Sequence, residues 1–250
     1  RLLPGIESPL VPSREALDVV IVRENTEGEY SEVGGRLFAG QPGEIAIQEA
    51  VFTRVGIERI ARYAFELAGT RTGRVASATK SNGIVHTMPF WDEVVDEVAK
   101  DYPDVELTRF HVDALAALLV LDPGRFDVIL GSNLFGDILS DLAAALVGSI
   151  GIAPCGNIDP TRRNPSMFEP IHGSAPDIVG KGIANPIGQI WSAAMMLEHL
   201  QEFKAASGII AAIESVIASG IKTPDLGGTH NTDEVTDAVI SAYLSSTGVK

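Results

Sequence analysis

Residues 127–146 read DVILGSNLFGDILSDLAAAL, and their order decides the architecture. DVILG is a short apolar run closed by glycine, which suits a buried strand; from Leu134 onward Leu, Phe, Ile and Ala return at helical spacing. Strand, tight turn and helix in that order form the repeating unit of α/β proteins, in which residues just past a strand's carboxyl end line ligand crevices. The helix carries Asp137 and Asp141, four residues apart and so on one face. The stretch contains no Lys, Arg or His, and an unpaired carboxylate in apolar surroundings is costly. Three ways of balancing the pair stay open. A hard divalent cation such as Mg²⁺ or Mn²⁺ takes carboxylate oxygens; the helix N-terminal dipole favours Asp137; an ordinary salt bridge would also serve. Spacing does not choose among them, because Asp92/Asp96 and Asp233/Asp237 share it, and both of those pairs read as solvated helix faces.

Working outward, DVVIV (18–22), EIAIQEAVF (44–52), RVASAT (74–79) and VELTRFHV (105–112) read as further strands, and 53–68, 87–100, 113–121 and 134–147 as helices. Beyond residue 150 the character changes. A Gly/Pro-rich stretch, GNIDPTRRNPSMFEPIHGSAPDIVGKGIANP (156–186), precedes helical segments at about 187–203, 205–219 and 232–245. Strands dominate before residues 147–150 and helices after them, which predicts domains of 1–147 and 148–250.

The 250 residues are 45% hydrophobic, with 19 Lys and Arg against 33 Asp and Glu, a formal charge of −14. That balance argues against nucleic acid or an anionic membrane as partner. An anionic substrate would have to be met by a local basic cluster or a metal. The longest uncharged apolar-leaning run, LAAALVGSIGIAPC (142–155), falls short of the ~18 residues a membrane span needs. The single cysteine, Cys155, excludes an internal disulfide, fits a reducing compartment and reads as a small core residue. The opening RLLPGIESPL has no signal or transit pattern and reads as the interior of a longer sequence.

Several residues carry chemistry on local grounds. RENTEGEY (23–30) follows DVVIV directly, so Arg23 sits where a strand delivers a site residue. Its planar fork suits a carboxylate or phosphate, with Glu24, Glu27 or Glu29 as alternative partners. Tyr30 closes the segment, as a packing residue or as an acid. TKSNG (79–83) sets Lys80 at a strand end in neutral surroundings; a desolvated Lys can act as general base, although most lysines are surface groups. FHVDAL (110–115) puts Asp113 at a strand-to-helix join, where N-capping is its local role. His86 and His111 lack paired-ligand spacing and read as structural. HGSAPDIVGKG (172–182) fails both the G-x-x-x-x-G-K-[ST] and the G-x-G-x-x-G templates. It is either a nucleotide loop of another type or an ordinary connection.

Taken in order, VRENTEGEYS, TKSNG, HVDALA, NLFGDILSDLAA, FEPIHGSAPDIVGKGIANP and TPDLGG resemble the metal-dependent β-decarboxylating dehydrogenases of the isocitrate and isopropylmalate dehydrogenase family. The resemblance runs the length of the chain. It implies an isopropylmalate dehydrogenase-like two-domain α/β fold, distinct from a Rossmann fold. Residues 1–147 would form the small domain with a dimerisation arm and the metal and substrate residues, and 148–250 the C-terminal part of the large NAD-binding domain. Asp137 and Asp141 match metal ligands for Mg²⁺ or Mn²⁺ from one subunit of a homodimer, and Asp113 the ligand contributed across the interface. Lys80, also contributed across the interface, matches the group that accepts the hydroxyl proton. Tyr30 matches the acid that protonates the enol, and Arg23 a substrate-carboxylate clamp. Glu169, His172, Gly173, Ser174, Ala175, Asp177 and Asn185 match the NAD-binding loop and its adenine-side contacts. Asp177 and Asp225 are acidic where NADP-preferring relatives place basic or aromatic groups, which favours NAD.

Within the family, RENTEGEYSEVGGR and the segment 37–68 look most like the branch acting on tartrate and D-malate. The implied function is oxidation, with or without decarboxylation, of a small 2-hydroxy dicarboxylate in the cytoplasm, with no nucleic-acid or membrane partner. 3-Isopropylmalate and isocitrate are the alternative substrates. A noncatalytic regulatory subunit is the alternative of another class. Chains of this family have a further N-terminal portion carrying the first strands of the large domain, two more substrate arginines and a specificity helix. The expectation is therefore that the N-terminal part of the large domain is absent here, and that these residues made alone would be poorly folded and inactive.

Overall fold

A computed structural model of the chain describes residues 1–9 and 17–248. Two compact units form. One is Glu15–Leu142; the other joins Ala143–Lys250 to the described part of Arg1–Arg14. The division thus falls a few residues before the expected 147–150, inside a helix. The start of the chain groups with the C-terminal unit, which composition gave no reason to expect.

In the first unit the chain runs β1 (Val20–Arg23), β2 (Gly28–Leu37), β3 (Ile45–Val51), α1 (Arg54–Gly69), β4 (Arg74–Thr79), α2 (Thr87–Ala99), β5 (Glu106–His111), α3 (Val112–Leu121), β6 (Val128–Gly131) and α4 (Asn133–Leu146). β1, β6, β4 and β5 lie side by side in that order. Every pairing is parallel, with Arg23 opposite Gly131 and Thr79 opposite His111. All four carboxyl ends therefore share one edge of the sheet. β6 is buried throughout and β4 almost so, which is why both read as continuous apolar runs rather than alternating ones.

α1 buries Ile57, Ala61, Ala64, Phe65 and Ala68 at helical spacing. Its start is capped by Thr53, whose hydroxyl accepts from Gly56 N. α2 buries Met88, Trp91, Val94, Val95 and Val98. The Trp91 indole N–H donates to Ser77 Oγ at 3.1 Å, satisfying the polar end of a fully buried ring. Asp92 corrects the reading of its pair as a solvated face. It is only 8% exposed, and its Oδ1 has no hydrogen-bond partner among the described residues.

β2 and β3 form a separate antiparallel ribbon, with an irregularity between Gly28 and Val33. Most of its side chains, including Val33, Leu37, Ile45 and Ile47, are exposed, as is Phe38 just past β2. The sequence does not announce β2, because Gly34 and Gly35 lie within it and no buried face imposes an alternating pattern on it.

The second unit contains β7 (Pro154–Asn157), β8 (Met167–Pro170), α5 (Ile187–His199), α6 (Phe203–Ala218) and α7 (Thr232–Thr247). β7 and β8 pair antiparallel, β7 leading into the Gly/Pro-rich stretch and β8 lying within it. Their connection is organised by Asp159, whose carboxylate accepts from Thr161 N and Oγ1 and from Asn164 N and Nδ2. These bonds hold its pKa well below the usual carboxylate range. α5 and α6 are separated by a turn in which Gln201 adopts φ 67°. α7 begins with a capping box between Asn231 and Glu234.

Candidate active site

The carboxyl edge of the four-stranded sheet collects the chemistry-bearing residues of the first unit. Arg23 is the last residue of β1 and lies level with Gly131, so its side chain meets the first turn of α4. A Cβ on Gly136 would sit 2.6 Å from Arg23 Cβ and Cγ. The glycine in FGDILSD is therefore what lets the arginine pass. Arg23 Nη1 donates to Asp137 Oδ1 at 2.5 Å. Its Nε and Nη2 donate to Asn133 Oδ1 at 3.0 and 2.7 Å. Tyr30, from β2, donates its hydroxyl to Asp137 Oδ2 at 2.9 Å, and the Arg23 guanidinium lies 5.9 Å from the Tyr30 ring centre. The hydrogen bond to the Asp137 carboxylate raises the Tyr30 pKa, helped by burial and the Asp137 charge and opposed by Arg23.

Asp137 is balanced by an arginine 114 residues away in sequence. Arg23 pairs with none of the glutamates beside it, because each of those has another task. Glu24, 2% exposed, accepts from Arg59 at 3.1 Å. Glu27 accepts from Thr53 N and Oγ1, both at 2.8 Å, at the start of α1. Glu29 accepts from Ser132 Oγ at 2.6 Å and Leu134 N at 3.0 Å, capping α4 from a neighbouring strand. Asp141, one turn beyond Asp137, is exposed.

Lys80, just past β4, and Asp113, in the first turn of α3, form a second pair, with Nζ to Oδ2 at 2.8 Å. Asp113 is not the N-cap; His111 holds that position without a side-chain bond. The bond from Lys80 lowers the Asp113 pKa. Asp113 thus stands with Lys80 and not with Asp137 and Asp141. Among the described residues no group of three or more His, Cys, Asp or Glu converges to hold a metal.

The residues expected to bind NAD lie in the second unit. Glu169 is on β8, and its Oε1 accepts from Asn157 Nδ2 at 3.5 Å. His172, Gly173, Ser174, Ala175 and Asp177 lie in an exposed loop. Ala175 takes a left-handed φ of 45° before a single 3₁₀ turn, Pro176–Ile178. The His172 ring Nδ1 lies 3.0 Å from the Gly173 carbonyl oxygen. Asn185 and Asp225 meet: Asn185 Nδ2 donates to Asp225 Oδ2 at 3.0 Å, while its Oδ1 accepts from Ile187 N at the start of α5. Asp225 also accepts from Ser149 and Thr223 hydroxyls, each at 2.5 Å. The fit around Gly151 is tight, since a Cβ would come within 3.1 Å of Asp225 Oδ2 and 3.0 Å of Asn185 Cβ.

Asn133 carries no signal of its role in the sequence, and Glu27 and Glu29, expected only as alternative partners of Arg23, instead hold the starts of α1 and α4. A Ser-Asn pair before a helix suggests only a local cap and says nothing of Arg23.

Comparison with known proteins now adds to this geometry. Residues 4–239 match the family model described as isocitrate/isopropylmalate dehydrogenase. The chain belongs to that family. A probable tartrate dehydrogenase/decarboxylase of Bacillus subtilis (strain 168) is 58% identical over 239 residues, covering 96% of this chain and 67% of that protein. A D-malate dehydrogenase [decarboxylating] of Escherichia coli (strain K12) is 54% identical over 251 residues, covering 98% of this chain and 70% of that protein. The chain thus spans about two-thirds of the length of these relatives. The crystal structure of isocitrate dehydrogenase from Methylococcus capsulatus superposes with a TM-score of 0.89 at 40% identity, over 96% of this chain and 70% of that one. The isocitrate/isopropylmalate dehydrogenase family thus accounts for the parallel α/β sheet and for the order of the motifs along it. Among the described residues no helix is long and apolar enough to cross a membrane.

Proposed function

We propose that the chain carries the metal, acid and base residues of an NAD-dependent, divalent-metal-dependent dehydrogenase that oxidises and decarboxylates tartrate or D-malate. The observation that carries this reading is the meeting of Arg23, Tyr30 and Asp137, from three different elements, at the carboxyl edge of the sheet. Identities of 54–58% to enzymes named for tartrate and D-malate, against 40% to one named for isocitrate, favour the substrate choice.

Asp137 and Asp141 offer hard oxygen donors one helical turn apart, and Asp137 already draws a cation, the Arg23 guanidinium. Both features suit Mg²⁺ or Mn²⁺. Two carboxylates are fewer than the roughly six oxygen ligands such an ion takes. The hydroxy acid and Asp113 of a second copy would supply others, making the enzyme a homodimer with shared sites. When bound, the ion supplies Lewis-acid polarisation of the substrate's C2 oxygen.

The chain's own residues do the rest. Arg23 binds and orients a substrate carboxylate through its terminal N–H groups. Lys80, contributed like its ion-pair partner Asp113 by the second copy, accepts the C2 hydroxyl proton as hydride leaves C2 for the nicotinamide. Tyr30 then donates a proton to C3 once the adjoining carboxylate has left as carbon dioxide, and Asp137, accepting its hydroxyl, keeps that proton in place to high pH. Glu169 and the loop from His172 to Asp177 offer backbone N–H groups and acidic side chains to NAD. Asn185 is held ready by Asp225. Asp177 accepts from ribose hydroxyls and repels a 2′-phosphate. With soluble substrates and NAD as acceptor, the reaction belongs in the cytoplasm.

The test is NADH formation by the full-length enzyme with tartrate, D-malate, 3-isopropylmalate and isocitrate, each with Mn²⁺ and with a chelator. Turnover on tartrate or D-malate that the chelator abolishes is expected. Preference for isocitrate or 3-isopropylmalate, or chelator-insensitive turnover, would overturn the reading.

A further inference from the structure

We propose that Asn133 is a positioning residue that sets which edge of the Arg23 guanidinium is presented to the substrate carboxylate. The inference rests on the reading of Arg23 as the carboxylate clamp and extends it to a residue that touches no substrate. Asn133 is 6% exposed, so its amide is committed to protein partners. Its Oδ1 accepts from both Arg23 Nε and Nη2, and its Nδ2 donates to the Glu27 carbonyl at 3.2 Å. This fixes the amide orientation, since the oxygen must face the arginine donors and the nitrogen the carbonyl. Glu27 is in turn held by Thr53 at the start of α1. A chain of bonds therefore runs from a helix terminus through Glu27 and Asn133 to Arg23.

A guanidinium has five N–H donors. Asn133 takes the Nε donor and one on Nη2, and Asp137 takes one on Nη1. One N–H remains on each terminal nitrogen. Those two terminal donors are the ones left for a substrate carboxylate. Without Asn133 the side edge would be unheld, and the guanidinium could rotate to offer either edge. Asn133 is not needed to begin α4, because Glu29 already accepts from Leu134 N and from Ser132 Oγ, and Gly136 N reaches the Ser132 carbonyl at 2.7 Å.

The experiment is a kinetic double-mutant cycle in the full-length enzyme, using Asn133→Ala, Arg23→Lys and the double variant with D-malate, NAD and Mn²⁺. Thermal unfolding is followed in parallel. Asn133→Ala should raise KM for D-malate about tenfold or more, the worth of a charge-assisted hydrogen bond. KM for NAD should stay near wild type. Lysine has no side edge for Asn133 to hold, so adding Asn133→Ala to Arg23→Lys should change KM no further. If Asn133→Ala does not fold, Asn133→Ser replaces it in the same cycle, with the same expectations. An unchanged KM for D-malate in Asn133→Ala while Arg23→Lys raises it overturns the positioning role alone. Multiplying effects in the double variant, or a parallel rise in both KM values with a lowered unfolding temperature, would do the same. Arg23→Lys without effect on KM for D-malate would instead sink the reading of Arg23 on which the inference rests.

Discussion

Replacing Asp127 by Asn tests whether stability and chemistry occupy opposite ends of the same sheet. Asp127 immediately precedes β6 and is 3% exposed. Its Oδ1 accepts from Arg71 Nε at 2.6 Å, and its Oδ2 accepts from Thr72 N at 2.8 Å and Thr72 Oγ1 at 2.5 Å. Arg71 also reaches Asp18, ahead of β1, so the cluster ties together the amino ends of two strands and the turn after α1. An amide has one acceptor oxygen where the carboxylate uses two, so in either orientation its NH₂ faces a donor. Losing the charge and one charge-assisted bond in a buried site should cost about 2–4 kcal/mol. In the full-length enzyme that lowers the unfolding temperature by about 4–16 °C.

The pH dependence has a definite sign. Burial pushes the Asp127 pKa up, but bonds from Thr72 and Arg71 outweigh it and leave the folded value below the usual one. Its stabilisation is therefore complete above the unfolded carboxylate pKa and is lost as pH falls through the folded value. Urea unfolding of wild type and Asp127→Asn, at equal protein concentration from neutral pH into the acid range, should show a gap that closes on acidification. A gap under about 0.5 kcal/mol at neutral pH, or one that widens in acid, would refute the argument.

Other perturbations separate site from scaffold. Asp141→Asn, at an exposed position, should leave the unfolding temperature within about 2 °C of wild type while weakening Mn²⁺ binding at least about tenfold by calorimetry. Tyr30→Phe should remove, from an ultraviolet titration of the metal-free protein, a phenolate that appears only above the usual tyrosine range, since Asp137 raises its pKa. The same variant should still reduce a 2-oxo acid with NADH while losing most oxidative decarboxylation. Gly136→Ala would push a Cβ to 2.6 Å from Arg23 Cβ and Cγ. An increase in KM for the hydroxy acid of about tenfold or more is expected, with a smaller change in KM for NAD.

The sequence by itself determined the element types wherever burial imposes a period. DVILG is apolar because a strand covered on both faces needs it, the half-buried edge strand in DVVIV nearly so, and α1, α2 and α4 announce themselves by helical spacing. Ordered motifs also carried the family. Where no buried face disciplines the chain, the reading failed. Only β3 of the exposed β2–β3 ribbon is legible in the sequence, and the β7–β8 hairpin is not. Asp92, in a charged helix, was placed in solvent although its side chain is buried. The parallel alignment of β1 with β6 was decided only in tertiary structure, and it brings Arg23 to Asn133 and Asp137 across 110 and 114 residues. Nothing in local spacing could favour Asp137 over the glutamates next to Arg23. Those glutamates are drawn off by Arg59, by the start of α1 and by the start of α4, and only the folded sheet sets out those competing partners.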